Sequence, residues 1–172
     1  YAWRENGVAR GVNRIETEYG ASSIYIDNAY IASYTDKASA DEALSAMLTK
    51  KISLEKSSFD VAKNTTVTNA VKPITSGAEI ISYDISGNPV GGRLMQIYDN
   101  TLKADARTAL IQVNSSGIIT VNNASTGYYW DSTKANNISL VFDAVDVKFS
   151  VYYNGVEIAE EKGSFNGGVD IE

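Results

Sequence analysis

The chain has 172 residues, of which 44% are hydrophobic and 21% charged, the balance of a globular domain (alone or with an appendage) and not of a disordered chain. Fifteen Lys and Arg against 21 Asp and Glu leave a net charge of −6, which argues against a nucleic-acid surface. Cysteine and histidine are absent, so disulfides, thiolate or imidazole metal sites and triads built on His or Cys are excluded.

The elements predicted in chain order are mostly strands. Residues Ile24 to Ile31 mix β-branched and aromatic side chains and predict a strand with a turn or bulge near Asp27-Asn28. Ser39 to Leu48 breaks the pattern: Leu44, Met47 and Leu48 fall on one helical face, and Ser39 with Glu42 forms a capping box. This predicts one short helix over 39–50. Strands follow at Glu79 to Ile85, Arg93 to Tyr98, Ala109 to Val113, Gly117 to Val121, Ile138 to Asp143 and Lys148 to Tyr153. Turn signals separate them, Asn154-Gly155 being the strongest hairpin signal in the chain. Short strands at this spacing predict an all-β sandwich or barrel.

No apolar run approaches the roughly 18 residues of a bilayer span. The sequence opens on Tyr1, which reads as a chain processed from a precursor or excised from a longer protein. Eleven Tyr, abundant Ser, Thr and Asn, and no Cys suit an exported, extracellular or cell-surface protein.

The stretch Asn136 to Glu160, with a strand ending in Asp and a following Tyr-x-Asn-Gly turn, resembles the paired strands of laminin-G-like, concanavalin-like sandwiches. "RLMQIYDN", "TALIQVNSSGIITV" and "SIYIDNAYIASY" resemble further strands of these modules, which occur in secreted bacterial polysaccharide-active proteins. The resemblance covers about residues 1–36 and 55–172 and implies a concanavalin-like or jelly-roll sandwich. The Ile-Asp-Asn strand that closes such domains stands at the front of this chain. The expected organisation is therefore closing strands in 1–36, a helical linker in 37–52 and the main sandwich in 53–172.

The displaced strands return to their own sandwich, belong to a tandem array, or complete a neighbouring subunit. In the last case Ile15, Ile24, Ile26 and Ile31 would be donated to the next copy, building a ring or filament head-to-tail. An extracellular structural subunit that self-associates in this way is the first expected function. The second, implied by the resemblance, is a noncatalytic carbohydrate-binding module of a secreted protein. Its candidate sugar-stacking residues are Tyr128, Tyr129 and Trp130, with Trp3 and Tyr98 as further candidates, although one or two of the first three should face the core.

No enzyme is expected. The carboxylates close in sequence, Asp143 with Asp146, Glu16 with Glu18, and Glu157, Glu160 and Glu161, read as turn formers and solvated strand ends. The Glu-x-Asp-x-x-Glu signature of the catalytic concanavalin-like glycosidases is absent. Only hard oxygen ligands are available, so calcium is the metal that fits, and the resemblance points to Asp27, with Asp60 as a second ligand if it lies alongside. Four Asn-x-Ser/Thr acceptor patterns begin at Asn64, Asn114, Asn123 and Asn137.

Overall fold

The structure is a computed structural model that describes residues 14–18, 24–50, 57–61, 66–70, 77–98, 107–143, 146 and 148–163. In chain order the elements are β1 (Arg14–Glu18), β2 (Ile24–Tyr34), α1 (Lys37–Lys50), β3 (Ser57–Val61), β4 (Thr66–Ala70) and β5 (Ala78–Gly87). They continue with β6 (Arg93–Tyr98), β7 (Arg107–Val113), β8 (Ile118–Val121), β9 (Ala124–Tyr129), β10 (Asn136–Asp143), β11 (Lys148–Tyr153) and β12 (Val156–Gly163). The strands form two antiparallel six-stranded sheets, ordered β4-β1-β6-β7-β8-β9 and β12-β11-β10-β5-β2-β3. The fold is thus an all-β sandwich with one short helix, as the strand spacing predicts.

Alternation along the strands builds two apolar layers. Ile81, Tyr83 and Ile85 of β5 join Leu94, Ile111, Ile119, Leu140, Phe142 and Val151 in the main core. Ala78 and Ile80 of β5 face the other way, where Ala40 and Leu44 of α1 cover them together with Val141. Cover on both faces buries β5 without a break from Ala78 to Tyr83, the polar Glu79 and Ser82 included.

The helix begins earlier than the sequence predicts. The backbone N–H of Ser39 donates to the Asp36 carboxylate over 2.7 Å, so Asp36 is the N-cap and Ser39 already lies inside the first turn. That bond holds the Asp36 carboxyl below its ordinary range. A capping box at Ser39 and Glu42 is therefore not formed. Leu44 is buried as expected, whereas the side chains of Met47 and Leu48 lie outside the described residues.

β2 has the predicted irregularity: its register against β5 shifts between Asp27 and Tyr30, with Asn28 at φ 50°. Both early strands lie in sheets of their own chain. β1 pairs with β4 and β6, placing Ile15 opposite Asn69 and Ile97. β2 pairs with β5 and β3, placing Ile24 opposite Gly87, Ile26 opposite Ile85 and Ile31 opposite Ile81. Ile26 is fully buried in the main core.

Candidate functional site

Among the described residues, the most exposed aromatic side chain, Tyr129, grows from the β8–β9 hairpin. Its two turn residues, Asn122 and Asn123, have φ of 49° and 66°, the positive values that a tight two-residue hairpin requires. After Thr120–Ser125 the register shifts, and Gly127 takes φ 79°. The Thr126 hydroxyl donates to the Ile119 carbonyl over 2.7 Å and accepts from the Tyr128 N–H at 3.2 Å, which stabilises this bulge. β9 is the outermost strand of its sheet, so Tyr128 remains 40% exposed and Tyr129 65% exposed. These two are strand residues, although the Ser125-Thr126-Gly127 before them are turn formers by composition.

Trp130 goes the other way. It is 8% exposed within the main core, and its Nε1–H donates to the Gly87 carbonyl over 3.0 Å. Its backbone N–H reaches the Gly117 carbonyl at 2.9 Å. The sugar-stacking role expected for Trp130 does not fit this position, because its ring is packed against Tyr153 and not offered to a ligand.

Tyr153 connects that anchor to the turn beyond it. Its hydroxyl accepts from the Asp131 N–H at 3.2 Å and donates to Asn136 Oδ1 at 3.0 Å. Asn136, itself 1% exposed, returns its Nδ2–H to the carbonyls of Asp131 and Lys134. Asn154 adds a further donor to Asn136 Oδ1, and its own Oδ1 accepts the Asn137 N–H. The turn over 131–134 is thereby tied to the core by part-buried hydrogen bonds to the buried Tyr153–Asn136 pair.

On the surface of this frame, Asp131 Oδ1 accepts the Thr133 N–H and hydroxyl at 3.0 and 2.6 Å, and Lys134 stands 3.6 Å from Oδ2. The Thr133 bonds, with Lys134 adding to them, hold the Asp131 carboxyl below its ordinary range. Tyr129 and Asp131 flank the inward Trp130, so an exposed phenol and a fixed carboxylate stand two residues apart in the chain. A phenol face can stack on an apolar ring face, and a carboxylate can accept hydroxyl hydrogens.

A second polar group lies on the face of β2, β5 and β10 beyond the helix. Asn137 Nδ2–H donates to Asp84 Oδ1 at 2.9 Å and to Ser82 Oγ at 3.0 Å, and Asn28 Nδ2–H donates to Asp84 Oδ2 at 2.5 Å. The Ser139 hydroxyl donates to Asn137 Oδ1 at 2.6 Å. These groups satisfy one another and cross-link three strands. Sequence reasoning missed both this group and the Tyr153–Asn136 frame; the adjacent Asn136-Asn137 facing an Asn154-Gly155 turn is the signal that could have found them.

The other expected site residues are dispersed. Trp3 lies outside the described residues. Tyr98 ends β6, which β7 and β8 separate from β9, so the fold does not bring it to Tyr129. Asp27 is opposite Asp84, while Asp60 on β3 is opposite Tyr25. Among the described residues, no group of three or more Asp, Glu, His or Cys side chains could hold a metal ion. No helix among them is long and apolar enough to cross a membrane.

No family model, no curated protein and no solved structure matches this chain.

Proposed function

We propose that this sandwich is a noncatalytic carbohydrate-binding module of an extracellular protein, with Tyr129 as its stacking platform. The observation that carries this reading is an aromatic side chain 65% exposed, two residues in the chain from a carboxylate held by the Thr133 bonds. Leaving so large an apolar face in water forgoes burial free energy, and sugar ring faces offer the complementary surface. Asp131 would accept ligand hydroxyls. Anchorage through Trp130 and Tyr153 orders the surface before a ligand arrives, which lowers the entropy cost of binding.

Affinity electrophoresis in gels containing single polysaccharides tests the reading. The native chain is expected to be retarded by at least one of them, and Tyr129→Ala should abolish the retardation while its melting temperature stays unchanged. No retardation across a broad polysaccharide panel, or retardation untouched by Tyr129→Ala, would overturn the proposal.

The register supports a second reading, a self-associating subunit. β1 lies between β4 and β6, and β2 between β5 and β3, so both early strands occupy interior slots that a neighbour's copy of residues 1–36 could fill equally well. Light scattering separates the two readings: a mass near 18.6 kDa favours the module, and higher species favour exchange. A chain starting at Ser53 should then lose assembly and regain a cooperative transition on addition of a peptide of residues 1–36.

A further inference from the structure

We propose that Asn123 is an N-glycosylation acceptor, the one among the acceptor asparagines of the described residues that the fold leaves open to a glycan. Three of the four patterns have their Asn among the described residues, and the structure separates them.

At Asn137 the nitrogen that would carry the sugar donates to Asp84 and Ser82, and the acceptor hydroxyl of Ser139 is fully buried. A sugar on that nitrogen would wedge apart β5 and β10. Asn114 is half-buried within its own turn, where its Oδ1 accepts the N–H groups of Ser116 and Ile118 at 2.9 and 3.0 Å. The Gly117 N–H also closes on the Asn114 carbonyl over 3.0 Å, so this acceptor pattern is folded back on itself.

Asn123 differs from both. It is exposed at the tip of the β8–β9 hairpin, with Ser125 also exposed on the strand that leaves it. Gln112 Nε2–H donates to its Oδ1 at 3.1 Å, and because Asn114 Oδ1 is engaged as well, it is the exposure of Asn123 that sets it apart. The modification would join Asn123 Nδ2 to C1 of a lipid-pyrophosphate-linked oligosaccharide. The C1–N bond forms, the C1–O bond to pyrophosphate breaks, the lipid pyrophosphate leaves, and the amide proton passes to a base of the transferase. Tyr129 is at the other end of β9, up to about 20 Å away, so a glycan at the hairpin tip leaves the stacking surface uncovered.

Secretion of the full chain through an N-glycosylating host, followed by glycopeptide mass spectrometry, tests the assignment. The expected result is a glycan at Asn123 and none at Asn137 in the secreted protein. Ser125→Ala, which removes the acceptor hydroxyl and keeps the Asn123 turn, should lose that glycan with secretion intact. An unoccupied Asn123, or occupancy unchanged by Ser125→Ala, would overturn the proposal.

Discussion

The rings of Trp130 and Tyr153 lie 5.9 Å apart at an interplanar angle of 30°, and through this pair an exposed strand edge is tied to the core. Trp130→Ala removes the ring contact and the bond to Gly87, leaving a cavity between sheets. A loss of about 3 to 5 kcal/mol is expected from urea unfolding. Tyr129→Ala, one residue earlier and on the surface, should stay within about 0.5 kcal/mol of the native chain. Equal losses for both would show that the division between anchor and platform is wrong.

Tyr153→Phe keeps the ring and removes the hydroxyl. Asn136 Oδ1 retains its Asn154 donor, whereas the Asp131 N–H loses its acceptor. The expected cost is about 1 to 2 kcal/mol, with faster amide exchange at Asp131 while that of β5 is unchanged. Protection at Asp131 equal to that of the native chain would contradict the frame described here.

Gly77 precedes β5 at φ +75°, and a Cβ built there would stand 2.0 Å from the Tyr34 carbonyl oxygen. The obstacle is backbone, which cannot rotate away as a side chain can. Gly77→Ala should therefore cost about 2 kcal/mol or more by forcing apart the ends of β2 and β5. A melting temperature unaffected by Gly77→Ala would show that the two backbones are not so close.

Glu79 gives the fold a pH dependence. It is 2% exposed, Ser33 bonds its carboxyl group, and its Oε1 has no partner. Burial outweighs the Ser33 bond and raises the group from 4.5 to about 7. Between those values the folded chain keeps a proton that the unfolded chain has released. This contribution to stability is complete below pH 4.5 and is lost as pH rises to about 7, on the order of 3 kcal/mol in all. Glu79→Gln should remove this slope from denaturation midpoints measured across that range; a slope that survives belongs to another group.

Leu44 is the largest of the described α1 side chains buried against the outer layer of Ala78, Ile80 and Val141. Leu44→Ala should cost about 2 to 5 kcal/mol and expose Tyr30 and Tyr34 to solvent quenchers. Quenching that does not increase would mean that the helix holds its place without this side chain.

Much of the sandwich is legible locally. β2, β5, β6, β10 and β11 announce themselves by β-branched and aromatic residues, and the Asn154-Gly155 hairpin by turn chemistry, with φ of 49° and 82°. Those signals act over a few residues, so neighbouring residues suffice to produce them. β9 escaped because Ser125-Thr126-Gly127 are turn formers by composition, and only the Thr126 bond to Ile119 makes them a bulge within a strand. The helix start escaped for a similar reason: Asp36 and Ser39 are both good caps, and the choice falls to the geometry of the approach from β2.

The sequence by itself determined the all-β class, the short helix and a dense aromatic group at residues 128–130. Which of those rings meets water was decided only by tertiary structure. Trp130 turns inward because its partners are Gly87 and Tyr153, 43 and 23 residues away in the chain, and Tyr129 must then face out. Alternation along a strand links the two choices, and contacts between sheets select one of them.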